Sequence, residues 1–465
     1  MKIKILFVLC LVIIVSCAFA KEVGVFGSEG KDFNGLKLAD VTPHRVSDRS
    51  AEVYFTKDGI GLGITKGGEF TLNANNKRLN FIGLSGIMVY DKDKPEKLYS
   101  FDILTINKAG FKAQCEELGV SLEINIFPKD NHIDLKGTIK TNQDKHLIIG
   151  FCMPVDGSTS LIKDKIIWID DFYNAVECTD KEEYSNLAPN DNTVSRYPLG
   201  TMMTSNISFA LAAPPQSIDS KFVFYRELKT FVNQYDISMK KDIPQNIEFI
   251  FYKYDYSWGF RGAFDKYSKI YKEYFPDKSQ ITKRENIKEL DNFNYSFKEL
   301  LSYDGYRIKE PIEYEDLYFL KCVSFNKPVY YEIPKDSFAS EYVKAVFFGF
   351  IPIADNVSMS EQKIINEYKN IFGIIQKSDW NVISQSESNN RNVISELYSF
   401  GDTKYAVVFN NTDLKRISFF IMYEYNGENT IKNIIDNSTY NIKNKTVDMV
   451  LNPYSLAMFE YEITN

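Results

Sequence analysis

The sequence predicts a mostly β protein: a large antiparallel β-sandwich, a small α/β middle segment and a C-terminal β-sandwich. Three observations carry this reading. Apolar residues alternate with polar ones over much of 21–248, step by four and three over 260–274, and return to strand-like runs after 396. Aromatics make up 15% of the chain, with 35 Phe and 30 Tyr against 3 Trp, a bias that suits cross-strand pairing. The 465 residues exceed what one core normally holds, so two or three domains are expected.

The first 20 residues read as an export signal. Lys2 and Lys4 precede an apolar run over 5–15, too short to span a bilayer and right for a signal h-region. Ala18-Phe19-Ala20 is a small-x-small cleavage site. Ile14-Val15-Ser16-Cys17 resembles the bacterial lipobox, which would leave a lipid on Cys17. The expectation is an extracytoplasmic protein, either secreted or anchored to the envelope as a lipoprotein.

The strand series follows. Residues 51–55 and 60–64 flank the turn Lys57-Asp58-Gly59, and Gly61 and Gly63 mark a close approach or bulge inside a strand. Over 120–127, Val120, Leu122, Ile124 and Ile126 share one face, while Ser121, Glu123 and Asn125 share the other. Residues 133–140 repeat the pattern after a turn, which makes a meander. Segments 222–226 and 247–254 extend it. Phe260, Phe264, Tyr267, Tyr271 and Tyr274 then lie on one helical face, closed by Pro276-Asp277. Residues 281–297 read as a linker or exposed helix. Tyr318-Phe319-Leu320 and 328–331 read as short buried strands, and 340–350 and 358–372 as helices, the second opening with capping-box character at Ser360, Glu361 and Gln362. Strands return at 405–409, 417–423 and 456–461. The domains expected are 21–275, 276–385 and 386–465.

Charge and composition exclude several functions. Formal charge is -7, and removal of Lys2 and Lys4 takes it to about -9. No basic stripe offers phosphate neutralisation, so a nucleic-acid partner is excluded, while neutral glycans remain open. Cys115, Cys152, Cys178 and Cys322 leave both disulfides and buried thiols open, and none forms a CxxC. His44, His132 and His146 stand apart, with no HExxH, so neither a metal nor another cofactor is expected. Asp130-Asn131 and Asp156-Gly157 are ordinary turns more than calcium loops.

Several phrases resemble a group of exported bacterial glycoside-hydrolase-like proteins. These are Tyr256-Ser257-Trp258-Gly259-Phe260-Arg261-Gly262-Ala263-Phe264, the turn Ser195-Arg196-Tyr197-Pro198-Leu199-Gly200, Asn326-Lys327-Pro328, residues 347–352 and Leu451-Asn452-Pro453-Tyr454. Members of that group join a galactose-mutarotase-like β-supersandwich to a (β/α) barrel and a small β-sandwich. The resemblance therefore implies a supersandwich over 21–275. It also implies a strongly shortened barrel, because only about 40 residues separate the junction helix from 318–352, and a barrel needs roughly 250.

Two kinds of residue are candidates for sugar chemistry. Trp168, Asp170 and Asp171 join an aromatic platform to carboxylates within four residues, and Arg196 sits in a Pro-bounded turn. Hydrolysis needs two carboxyls at a fixed separation. Glu332, after Tyr330-Tyr331, and Asp355, after Ile351-Pro352-Ile353, stand where strand ends are expected. Trp258 reads as a packing plug. The shortened barrel points to a protein that binds an oligo- or polysaccharide without efficient hydrolysis. An active hydrolase and an envelope lipoprotein without ligand are the alternatives.

Overall fold

A computed structural model describes residues 51–155 and 193–462 apart from short gaps, together with strand segments at 32–33, 36–37, 44–45, 167–169 and 175–177. The fold is mostly β, with a large antiparallel supersandwich, a small parallel α/β segment and a C-terminal β-sandwich. The chain forms two compact units. One comprises residues 1–170 and 175–253, the other residues 171–174 and 254–465.

The first unit is built on two large antiparallel sheets, with a smaller four-stranded antiparallel sheet of Ala51–Phe55, Ile60–Thr65, Phe70–Ala74 and Lys77–Arg78. A nine-stranded sheet runs Asp102–Asn107, Gly110–Cys115, Val120–Pro128, Ile133–Thr141, Gln245–Lys253, Ser208–Ala212, Leu199–Met203, Ile167–Ile169 and Ala175–Glu177. A six-stranded sheet centres on Lys145–Pro154 and Thr230–Met239, paired over ten residues. The expected meander is present, Leu122 facing Ile139 and Ile126 facing Leu135. Strict burial alternation over 120–127 puts the apolar set of this strand in the core between the sheets. Rings from both sheets meet there: Phe151 and Phe249 have centroids 4.6 Å apart, and Tyr235 Oη donates to the Glu248 carbonyl at 2.9 Å. The glycines of the Ile60–Thr65 strand are required by close approach, since a Cβ on Gly61 would lie 2.5 Å from the Phe55 ring. Cys115 and Cys152 are buried thiols outside any disulfide; burial pushes Cys115 up to about 11 and Cys152 higher still. Cys178, Asp156 and the export signal lie outside the described residues.

The second unit opens with the expected helix, Gly259–Ile270, which buries Phe260, Phe264 and Tyr267. It ends sooner than the pattern suggests, and Tyr274 falls in the short 3-10 turn Lys272–Tyr274. Four parallel strands follow in sheet order: Ile287–Leu290, Gly305–Ile308, Val329–Glu332 and Ile351–Ile353. The helices Phe297–Leu301, Tyr314–Ser324 and Phe338–Phe348 connect them, as parallel strands require. Two expectations change here. Residues 287–290 form a strand rather than a linker, and Tyr318-Phe319-Leu320 belongs to a helix rather than a strand. Leu317, Tyr318, Phe319, Leu320, Cys322 and Val323 are all buried, so that helix shows no periodic face to read. The helix Met359–Lys377 starts where the sequence places it, capped by Ser358 and Glu361 in a reciprocal box.

The unit ends in a sandwich of a four-stranded and a five-stranded antiparallel sheet around Leu397, Val408, Phe420, Met449 and Phe459. The four-stranded sheet is anchored on its other side by a buried polar cluster. Glu396, fully buried, accepts from Arg261 Nη2 at 2.5 Å, from Trp380 Nε1 at 2.7 Å and from the Tyr318 hydroxyl. Arg261 also donates to the Val382 carbonyl at 3.0 Å. Beside it Lys321 is buried, its Nζ 5.2 Å from the centroids of both the Trp380 and Tyr398 rings. Burial, with Lys278 nearby, holds that amine well below its ordinary range.

Candidate functional site

The parallel sheet has two unlike faces. Leu290, Tyr306, Ile308, Val329 and Tyr331 are buried. Tyr306 donates to the Leu300 carbonyl at 2.7 Å, and Tyr331 donates to Glu341. Gly305 is needed at the start of its strand, because a Cβ would lie 2.7 Å from the Pro328 carbonyl oxygen. The alternate positions, Glu289, Arg307, Tyr330, Glu332, Ile351 and Ile353, are half-buried or exposed. This second face belongs to a four-stranded sheet.

All four strands run in the same direction, so their C-terminal ends lie along one edge. Open α/β sheets place their ligands at this edge. Each strand brings a carboxylate at or within two residues of its end: Asp291, Glu310, Glu332 and Asp355. Glu332 pairs in register with Ile353, so Asp355 follows on the neighbouring strand. Glu332 is engaged: Arg307 Nε and Nη2 both donate to its Oε1 at 2.7 Å. Its side chain is 34% exposed and that of Arg307 41%, an accessible charge pair. A second cross-strand pair, Lys309 to Glu289 at 2.7 Å, lies beside it. The Lys309 hydrogen bond lowers the Glu289 carboxyl and raises the amine. Asp291, Glu310 and Asp355 are exposed.

The edge can do two things chemically. Its carboxylates can accept hydrogen bonds from neutral hydroxyls, and the Arg307 guanidinium can donate. Among the described residues, no group of three or more His, Cys, Asp or Glu side chains converges where a metal ion could sit. The other expected contacts lie elsewhere. Trp168 is in the Ile167–Ile169 strand, one strand in from the end of the nine-stranded sheet, paired with Met202 and Val176. Asp170, Asp171 and Cys17 lie outside the described residues. Arg196 is exposed in the turn between Thr193–Val194 and Leu199–Met203, where Ser195 Oγ donates to the Leu199 carbonyl at 2.7 Å. His132 lies 3.0 Å from Asp134, and His146 2.5 Å from Asp236. Sequence reading missed Arg307, whose pairing with Glu332 across 25 residues depends on the parallel register.

No family model matches the chain, and no curated protein sequence does. Among solved structures, a GH36 alpha-galactosidase from Geobacillus stearothermophilus is similar at 6% identity, over 89% of this chain and 100% of that one, with a TM-score of 0.49. An alpha-galactosidase from Lactobacillus brevis is similar at 7% identity, over 89% and 98%, with a TM-score of 0.48. A galactose mutarotase-like protein from Lactobacillus casei is similar at 8% identity, over 44% and 100%, with a TM-score of 0.31.

Proposed function

We propose that this is an exported carbohydrate-interacting protein that binds an oligo- or polysaccharide without efficient hydrolysis. The observation that carries the reading is the state of Glu332. It stands at a strand end with its Oε1 already taken by two donors of Arg307, on an open sheet of four strands. Glycoside hydrolysis needs an acid and a base or nucleophile facing each other across the scissile bond, held by rigid neighbours. Here Glu332 is committed to a cation, and Asp355 is exposed on the adjacent strand. Binding asks less: hydroxyl contacts from the carboxylate rim and Arg307, and a ring on which a sugar can stack. Trp168, Asp170, Asp171 and Arg196 are proposed as further contacts.

The order of supersandwich, parallel α/β segment and terminal sandwich agrees with the motif resemblance around 256–264, which supports a carbohydrate-acting ancestry. The division at 275 and 385, the signal over 1–20 and a lipid on Cys17 belong to the same proposal. The test is a panel of soluble α- and β-linked glycans, scored for binding by calorimetry and for released reducing ends. Binding to at least one glycan with no release supports the reading. Robust release abolished by Glu332→Gln or Asp355→Asn refutes it.

A further inference from the structure

The five-stranded sheet of the terminal sandwich turns an apolar face to water. Burial alternates along Arg416–Met422 and Thr446–Leu451. Phe420, Met422, Val447, Met449 and Leu451 enter the core, so the intervening side chains point outward. A wet sheet face is ordinarily polar. Here Ile417 is 72% exposed, Phe419 49% and Val450 49%, and Tyr423, just past the strand, is 41% exposed. Ile417 and Val450 are cross-strand partners, and Phe419, next on the same face, stands opposite the exposed Asp448.

One ring of this face is fixed in place. Tyr423 Oη donates to Glu387 Oε2 at 2.7 Å, and its ring meets Trp258 edge-on, centroids 5.6 Å apart at 90°. Trp258, expected as a packing plug, thus packs on an exposed aromatic. Phe419 and Tyr423 are four positions apart, about 13 Å at ~3.3 Å per residue. That spans several linked sugar rings rather than one.

We propose that this face is a platform for a neutral glycan chain, with Phe419 and Tyr423 stacking on sugar rings and Glu387 accepting from hydroxyls. The proposal rests on the carbohydrate reading above but names a second, separate site. The size of the patch favours a narrow polymer over a second copy of the chain. Four side chains exposing about half of their surface offer at most roughly 300–500 Å², taking the ~150–250 Å² of a whole aromatic as the upper bound for each. A stable protein interface buries about 800 Å² per partner. The fixed orientation of Tyr423 also lowers the entropy lost on binding.

The test is native affinity electrophoresis in gels containing a mixed-linkage β-glucan, an α-glucan or a galactomannan. The full chain is compared with Phe419→Ala/Tyr423→Ala, Tyr423→Phe and Glu332→Gln. These side chains are exposed, so the variants keep the fold, checked by circular dichroism. The expected result is retardation by at least one polymer, weakened about tenfold in the double alanine variant and largely kept in Tyr423→Phe. Unchanged retardation in the double variant overturns the platform. If Glu332→Gln then abolishes retardation, the strand-end site stands alone. No retardation of the full chain by any polymer overturns both sites. A dimer in sedimentation that dissociates in the double variant shows a self-interface and also overturns the platform.

Discussion

Replacing Arg261 by Met should destabilise the second unit by about 3 kcal/mol. Among the described residues, Arg261 is the cation bonded to Glu396, a carboxylate with no solvent exposure, and the change removes it. Removing one partner of a buried pair typically costs about 3–5 kcal/mol, because the remaining charge is left buried and uncompensated. Tyr318 and Trp380 still donate to Glu396, which places the cost at the lower end of that range. Glu396→Gln keeps an acceptor for both but loses charge-assisted bonds, at roughly 2–3 kcal/mol. The double variant leaves no buried charge in the pair, so its cost should resemble that of a single variant rather than the sum. The assay is urea unfolding followed by tryptophan fluorescence. Trp380 reports locally, since its indole N–H is bonded to Glu396. A loss below about 1 kcal/mol in Arg261→Met, or strict additivity in the double variant, would refute the reasoning.

Three further outcomes are expected. Lys321 has a lowered pKa when folded, so the unfolded chain binds more protons between that value and about 10, and stability should rise with pH across this window. Lys321→Met should flatten the rise of the urea midpoint as pH approaches about 10; parallel curves for the two proteins would contradict it. Ser358→Ala removes the cap on the Met359–Lys377 helix and should cost about 1 kcal/mol, seen as faster amide exchange in its first turn. Cys115 and Cys152, buried and with raised pKa, should escape alkylation in the native protein and react fully in urea, as read by mass spectrometry.

The sequence made the fold readable wherever one face of an element is wet. Residues 120–127 alternate without exception, and the meander with Ile133–Thr141 follows from it. The helix Gly259–Ile270 was legible from Phe260, Phe264 and Tyr267 for the same reason. Where an element is buried all round, the period disappears. Residues 317–324 of the Tyr314–Ser324 helix are such a case, and a short apolar run there fits strand and helix equally. Ile287–Leu290 failed in the opposite way: Lys288 and Glu289 give a half-buried strand the polarity of a loop. The candidate site was half legible. Glu332 and Asp355 were readable as strand-end acids, but Arg307 was not, because cross-strand partners in a parallel sheet are separated by a helix. The platform at Phe419 was hidden as well, since Ile417, Phe419 and Ile421 alternate with Phe420 and Met422, and both faces of that strand look like core.

The central claim is that binding survives without hydrolysis, and prolonged incubation tests it most directly. The glycan that binds most tightly would be held with the purified protein over a day, and its chain length followed by size-exclusion chromatography and reducing-end analysis. The account predicts saturable binding and an unchanged polymer, with Glu332→Gln behaving like the parent in the chain-length assay. Shortening of the polymer by the parent protein, lost in Glu332→Gln or Asp355→Asn, would contradict it.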